Sequence, residues 1–167
     1  MRGEAGLRAD LGALGIPFTE HAHDAVFTVA ESDAVHVAMP GAHTKNLFLK
    51  DKGGAFWLVT VRSDARVDLK RLPGAIGCRP VSFGKAEDME RLLGITPGSV
   101  TALSAINDPA GDVCFVVDAS LMDAEFINCH PLRNTATLGL APDDLVRALT
   151  FWRHPPLINF IPLLESV

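Results

Sequence analysis

The sequence predicts an α+β fold, a single domain over residues 1–167 with a mixed, mostly antiparallel β-sheet and flanking helices. Three observations lead there. The chain has 167 residues, 48% hydrophobic and 21% charged, which suits one domain large enough to bury its core without a metal or disulfide. Short apolar runs of strand length are interleaved with stretches of helical period. These alternate without a regular strand-helix-strand repeat, which argues against a doubly wound parallel sheet.

Leu7, Leu11 and Leu14 recur at helical spacing and Gly15 stops them, predicting a helix from about residue 4 to 14. After Pro17, Phe18 to His21 reads as a short strand. Thr28 with Glu31 three positions on is a capping-box pattern, opening a helix that Met39, Pro40 and Gly41 close. The run from Lys45, then Gly53-Gly54, then Ala55 to Val61 reads as a β-hairpin. Leu69, Leu72 and Pro73-Gly74 suggest a short helix and turn, and Ala86 to Leu93, ended by Gly94, another helix. Val100–Leu103, Val113–Asp118, Phe126–Cys129 and Thr135–Leu138 are β-type runs, with Asn107-Asp108-Pro109 and Gly111-Asp112 turning between the first two. Pro142 at a first turn, Asp143 and Asp144 behind it, and Leu145, Leu149 and Trp152 on one face predict the last helix.

The formal net charge is -5, but its distribution is uneven. Residues 1–44 carry two cations against six acids, residues 45–85 nine against three, and residues 86–167 four against eleven. The central block of Lys45, Lys50, Lys52, Arg62, Arg66, Lys70, Arg71, Arg79 and Lys85 can form a basic face suited to a phosphate backbone, or a plain solvated surface. Three cysteines without Cys-x-x-Cys spacing argue against a disulfide framework or thiolate zinc site and for a reducing, cytoplasmic setting. The N-terminus lacks an apolar signal-peptide core and no apolar run is long enough to span a membrane, so no membrane association is expected.

His21, His23, His36 and His43 invite a metal reading, but no acidic partner stands with them at a ligand spacing, and no metal is expected. Cys129 beside His130 is a nucleophile-base pair only in sequence, since neighbours on a strand point to opposite faces. Three segments remain: Gly41 to Lys50 with Lys45 at the mouth of a strand, Gly94 to Val100 with the Pro97-Gly98-Ser99 turn, and Asn128 to Thr137 with His130 and Asn134. A glycine in such a turn can offer backbone N–H groups to a ligand oxygen.

Together and in this order, the three segments resemble the YbaK/prolyl-tRNA-editing family of trans-acting aminoacyl-tRNA deacylases. Within it, Lys45 to Asp51, the His21 to Glu31 stretch around Val26-Phe27-Thr28, and Ile106-Asn107-Asp108 look like the branch that removes alanine from tRNA for proline. The cysteine-removing branch typically has Thr where this chain has Asn46. Thr101-Ala102-Leu103 and Cys129 depart from the usual pattern of relatives and bear on pocket dimensions.

The resemblance implies a cofactor-free ester hydrolase acting on mischarged alanyl-tRNA(Pro), with cysteinyl-tRNA(Pro) deacylation or non-catalytic tRNA binding as alternatives. It implies Lys45 on the phosphate or ribose of the terminal adenosine, Asn46 orienting the aminoacyl group or the water, the Gly98 and Ser99 backbone on the carbonyl oxygen, and His130 at the pocket edge. Thr28, Pro97, Asn134, Lys50 and Arg79 are the further substrate contacts. The implied partners are the acceptor end of tRNA(Pro) and either prolyl-tRNA synthetase or an elongation factor. From the residues alone, Lys45 is the natural phosphate contact and His130 the natural proton carrier.

Overall fold

The computed structural model describes residues 1–25 and 39–165. The helix expected to open at Thr28, and Thr28 itself as a substrate contact, lie outside them. Four helices are described, α1 (Glu4–Ala13), α2 (Leu72–Ile76), α3 (Ala86–Leu93) and α4 (Pro142–Phe151). They flank eight strands, β1 (Thr19–Ala22), β2 (Ala42–Asp51), β3 (Phe56–Arg62), β4 (Val81–Phe83), β5 (Val113–Asp118), β6 (Ile127–Cys129), β7 (Ala136–Leu140) and β8 (Leu157–Asn159). No helix among the described residues is long and apolar enough to cross a membrane.

The strands form one mixed sheet in the order β1-β7-β6-β2-β3-β5-β8, with β4 also paired to β2. Antiparallel pairing joins β1 to β7, β6 to β7, and β2 to both β3 and β4, whereas β2–β6, β3–β5 and β5–β8 are parallel. The α+β class holds. Apolar residues on the two faces of each inner strand build two cores. Phe48, Leu58 and Phe115 face α1, α3 and α4, while Leu49, Val59 and Val116 face α2 and Ile161. In α3, Met89, Leu92 and Leu93 supply the buried stripe. Each such fully buried leucine is worth about 1.5–3 kcal/mol.

The β2–β3 hairpin closes on Asp51, whose Oδ1 accepts the N–H groups of Gly53 (2.9 Å) and Ala55 (3.0 Å). Burial pushes this carboxyl up, but the backbone donors and Trp57 outweigh it and hold it below the usual carboxylate range. β2 is paired to β3 from Thr44 to Lys50 along one edge, but its other edge is shared. β6 takes Ala42 and His43, and β4 takes Leu49 to Asp51. Between them, Thr44 to Leu47 have no strand partner on that edge among the described residues.

One expected strand is not formed. Val100 to Leu103 leads instead into a 3₁₀ helix, Ala102–Asn107. The Thr101 hydroxyl accepts the Leu103 N–H (3.2 Å) and Ser104 Oγ donates to the Thr101 carbonyl (2.7 Å). Such local bonds offer the backbone an alternative to a sheet ladder.

Candidate functional site

Lys45 and Asn46 stand on β2 beside its open edge. Successive strand residues point to opposite faces, so Asn46 shares the face of Phe48, and Lys45 that of Leu47 and Leu49. Lys45 is a half-buried residue, and its ammonium has no hydrogen bond or ion pair among the described residues.

Asn46 is held from two sides. Thr60 Oγ1, its cross-strand neighbour on β3, donates to Asn46 Oδ1 at 2.6 Å, and Asn46 Nδ2 donates to the Val100 carbonyl at 3.1 Å. One amide proton of Nδ2 stays available. The second contact ties β2 to the chain that follows Pro97–Ser99, which is a single 3₁₀ turn rather than a simple Pro-Gly bend. Ser99 is buried and its N–H donates to the Thr96 carbonyl (2.9 Å), so of the two expected oxyanion donors this one already has a partner within the turn. The Gly98 N–H, in the first turn of the 3₁₀ segment, has no intrahelical acceptor. A side chain at Gly98 would put its Cβ 3.4 Å from Asn134 Nδ2, so Asn134 packs directly over this glycine. The Gly98 turn thus links the β2 segment to the third one.

His130 leaves the end of β6. The parallel register sets Ala42 against Ile127 and His43 against Asn128, so β6 runs beside the start of β2 and the chain leaves it at His130 just past that ladder. Thr44 Oγ1 donates to the Asn128 carbonyl at 2.6 Å, keeping the strands side by side past the end of the ladder. His130 Nδ1 lies 2.9 Å from the Ala136 carbonyl, which can only accept, so Nδ1 carries the proton and Nε2 a lone pair. Burial lowers the His130 pKa against the partly opposing Ala136 bond, with His23 adding to the depression. The imidazole is therefore neutral at pH 7, an acceptor and a wall.

The ring of His23 stands 6.3 Å from His130, and its Nε2 meets Thr137 Oγ1 at 2.9 Å. His21 stacks on His23 at 5.9 Å. Among the described residues no three His, Cys, Asp or Glu side chains form a group able to hold a metal. Cys129 is fully buried and its thiol is pushed up to about 12, which suits packing and not nucleophilic attack.

Lys50 and Arg79 do not join this cluster. Lys50 sits five residues along β2, roughly 17 Å at the usual strand rise, with its ammonium 5.3 Å from the Phe56 ring centroid. Arg79 lies at the same hairpin end, where its backbone N–H meets Asp51 Oδ2 at 3.4 Å. The sequence reading missed Thr60, although it is the one polar residue within the run Phe56 to Val61. It also missed His23 as a neighbour of His130, which only the β1–β7 pairing discloses.

The profile of the aminoacyl-tRNA editing domain family matches residues 23–148, which include all three segments. The chain belongs to this family. A mouse relative, prolyl-tRNA synthetase associated domain-containing protein 1, is 38% identical over 162 residues, covering 93% of this chain and 95% of its own. The prolyl-tRNA editing protein ProX of Acetoanaerobium sticklandii is 34% identical over 138 residues, covering 82% of this chain and 84% of its own. In three dimensions this editing domain is similar to the crystal structure of the hypothetical protein APE2540, with a TM-score of 0.74, 21% identity, and coverage of 93% of this chain and 97% of the other.

Proposed function

We propose that this editing domain is a trans-acting deacylase that hydrolyses alanine from tRNA(Pro). The main support is the stretch of β2 without a strand partner on one edge among the described residues, which carries a lysine unpaired among them and an oriented asparagine with a spare amide proton, together with a neutral histidine just past the end of the neighbouring β6. The family membership and the likeness to ProX supply the class of substrate.

An aminoacyl ester is more reactive than an amide, so hydrolysis needs chiefly a placed water and a donor for the oxyanion. In this reading the Lys45 ammonium holds the phosphate or ribose of the terminal adenosine. The Gly98 N–H faces the carbonyl oxygen as charge builds on it, and the free Asn46 amide proton orients the ester or the water. His130, neutral and fixed by Ala136, closes the pocket on the amino-acid side. A synthetase pocket built for proline rejects a smaller side chain by only about 1–3 kcal/mol per methylene, so a second, smaller pocket is the physical remedy. The partners are accordingly the acceptor end of tRNA(Pro) and the synthetase or elongation factor that hands it on.

The test is deacylation of alanyl-, cysteinyl- and prolyl-tRNA(Pro) by the purified protein. Alanine release at least tenfold faster than cysteine release, with prolyl-tRNA spared, is the expected result. Faster cysteine release would reassign the substrate, and tRNA binding with no hydrolysis would make the domain a binding module.

A further inference from the structure

The six residues between Cys129 and Ala136 carry both His130 and Asn134, yet the segment has no ladder of its own. Its backbone needs external support, because Leu132 has φ 68°, in the left-handed region that residues with a Cβ avoid. One side chain of the segment, Arg133, plays no part in the pocket and instead reaches back to the N-terminal elements. Its Nε donates to Glu4 Oε2 in the first turn of α1 at 2.8 Å, and its Nη1 donates to Thr135 Oγ1 at 2.7 Å. Nη2 stands 3.8 Å from Glu20 Oε1 on β1. Arg8 bonds the same two carboxylates, so two arginines and two glutamates form a neutral network across α1, β1 and the His130 segment.

We propose that Arg133 is a positioning residue for the pocket: by bridging Glu4 and Thr135 it fixes the backbone on either side of Asn134, and with it the gap between His130 and the Gly98 turn. Asn134 is the next residue, its amide packed over Gly98, so a shift of Arg133 is passed to the oxyanion side of the pocket. Ala136, which orients His130, follows directly after Thr135. The Arg133 side chain is about two-fifths exposed, so its ion pairs add little to global stability, and its effect is expected in geometry. The proposal rests on the deacylase reading for its kinetic consequence.

The test compares Arg133→Leu and Arg133→Lys with Arg147→Leu, which removes another surface ion pair and a bond to the Leu14 carbonyl at the far end of α1 from Glu4. Small misplacements at a reacting centre cost up to about 10²-fold in rate. Arg133→Leu is expected to lower kcat/KM on alanyl-tRNA(Pro) by about ten- to a hundredfold and to shrink the alanine-to-proline ratio. Arg133→Lys recovers part of the loss, since an ammonium keeps Glu4 but cannot also bridge Thr135, and Arg147→Leu stays at the wild-type level. In parallel, NMR follows the Asn134 side-chain amide and the His130 imidazole. Both signals move in Arg133→Leu and not in Arg147→Leu. A folded Arg133→Leu protein with unchanged kinetics and unmoved signals overturns the proposal. Should the wild type hydrolyse no mischarged tRNA(Pro), the deacylase reading falls alone, and the NMR comparison still decides whether Arg133 positions the segment.

Discussion

Lys45 is a half-buried residue whose ammonium has no ion pair or hydrogen bond among the described residues, which leaves it able to take an anion. Lys45→Ala removes a charge-assisted hydrogen bond worth about 1.5–3 kcal/mol, so kcat/KM on alanyl-tRNA(Pro) is expected to fall about ten- to 150-fold. The melting temperature should stay within a few degrees, because no group among the described residues loses a partner. Unaltered turnover in that variant would remove Lys45 from the site. At this scale chemistry marks residue types in the sequence but not their exact places: Lys45, expected at a strand mouth, is the fourth residue of β2, because the strand begins at Ala42 where it pairs with β6. Ser99 was hidden, because only the folded chain shows that its N–H is already given to Thr96. Arg133 was equally opaque, its partner Glu4 lying 129 residues away.

Elements set by local signals follow the sequence closely. α3 has acids Glu87 and Asp88 in its first turn and Gly94 in the left-handed conformation at its end, and it forms over the expected residues. The short strands β4 and β8 went unseen because their pairing is long-range. β8 is exposed along its length, pairs in parallel with β5, and follows a buried anchor in which His154 Nε2 meets the Asp108 carbonyl at 2.7 Å. β4 matters more to the site, since it bounds the free edge of β2. Directly after it, the Gly84 N–H donates to the Phe48 carbonyl at 2.8 Å, and a Cβ at this glycine would run into the Phe48 ring. That ring is buried and stacked on Phe56 at 5.5 Å, so it has little room to yield. Gly84→Ala should therefore destabilise the protein by about 1–3 kcal/mol through overpacking, read as a lower midpoint in urea at constant m. An unchanged midpoint would mean that the β2–β4 junction adapts.

Over the whole molecule the cations divide into two kinds. Outside residues 45–85, Arg2, Arg8, Arg91, Arg133 and Arg147 are all in ion pairs, and among the described residues Arg153 alone is not. Within that block, again among the described residues, only Arg71 of the nine has an acidic partner, Asp68. Arg62 is occupied otherwise, donating to the Ser120 carbonyl at 2.8 Å. Among the described residues most of the central cations thus lack a direct acidic partner, Lys50 and Lys85 acting on Asp88 only through space, and the sheet sorts them in position. Arg79 precedes β4 and Lys85 follows it, while Lys50 lies on β2 opposite Ser82 and Lys52 just after β2 ends, so these four gather at the β4 end of β2, one strand length along from Lys45. Arg66 and Lys70 follow β3, beyond the opposite edge of β2. An acceptor stem whose end enters at Lys45 therefore meets the first group. Reversing Lys50, Lys52, Arg79 and Lys85 to glutamate should weaken tRNA binding and reduce the slope of log K against log salt by roughly one for each phosphate that is no longer neutralised. Reversing Arg66 and Lys70 should change both far less, and cleavage of a short aminoacyl-adenosine ester should survive either set. Equal effects from the two sets would show that the charge acts only as a diffuse field, and no effect from the first would place the stem elsewhere.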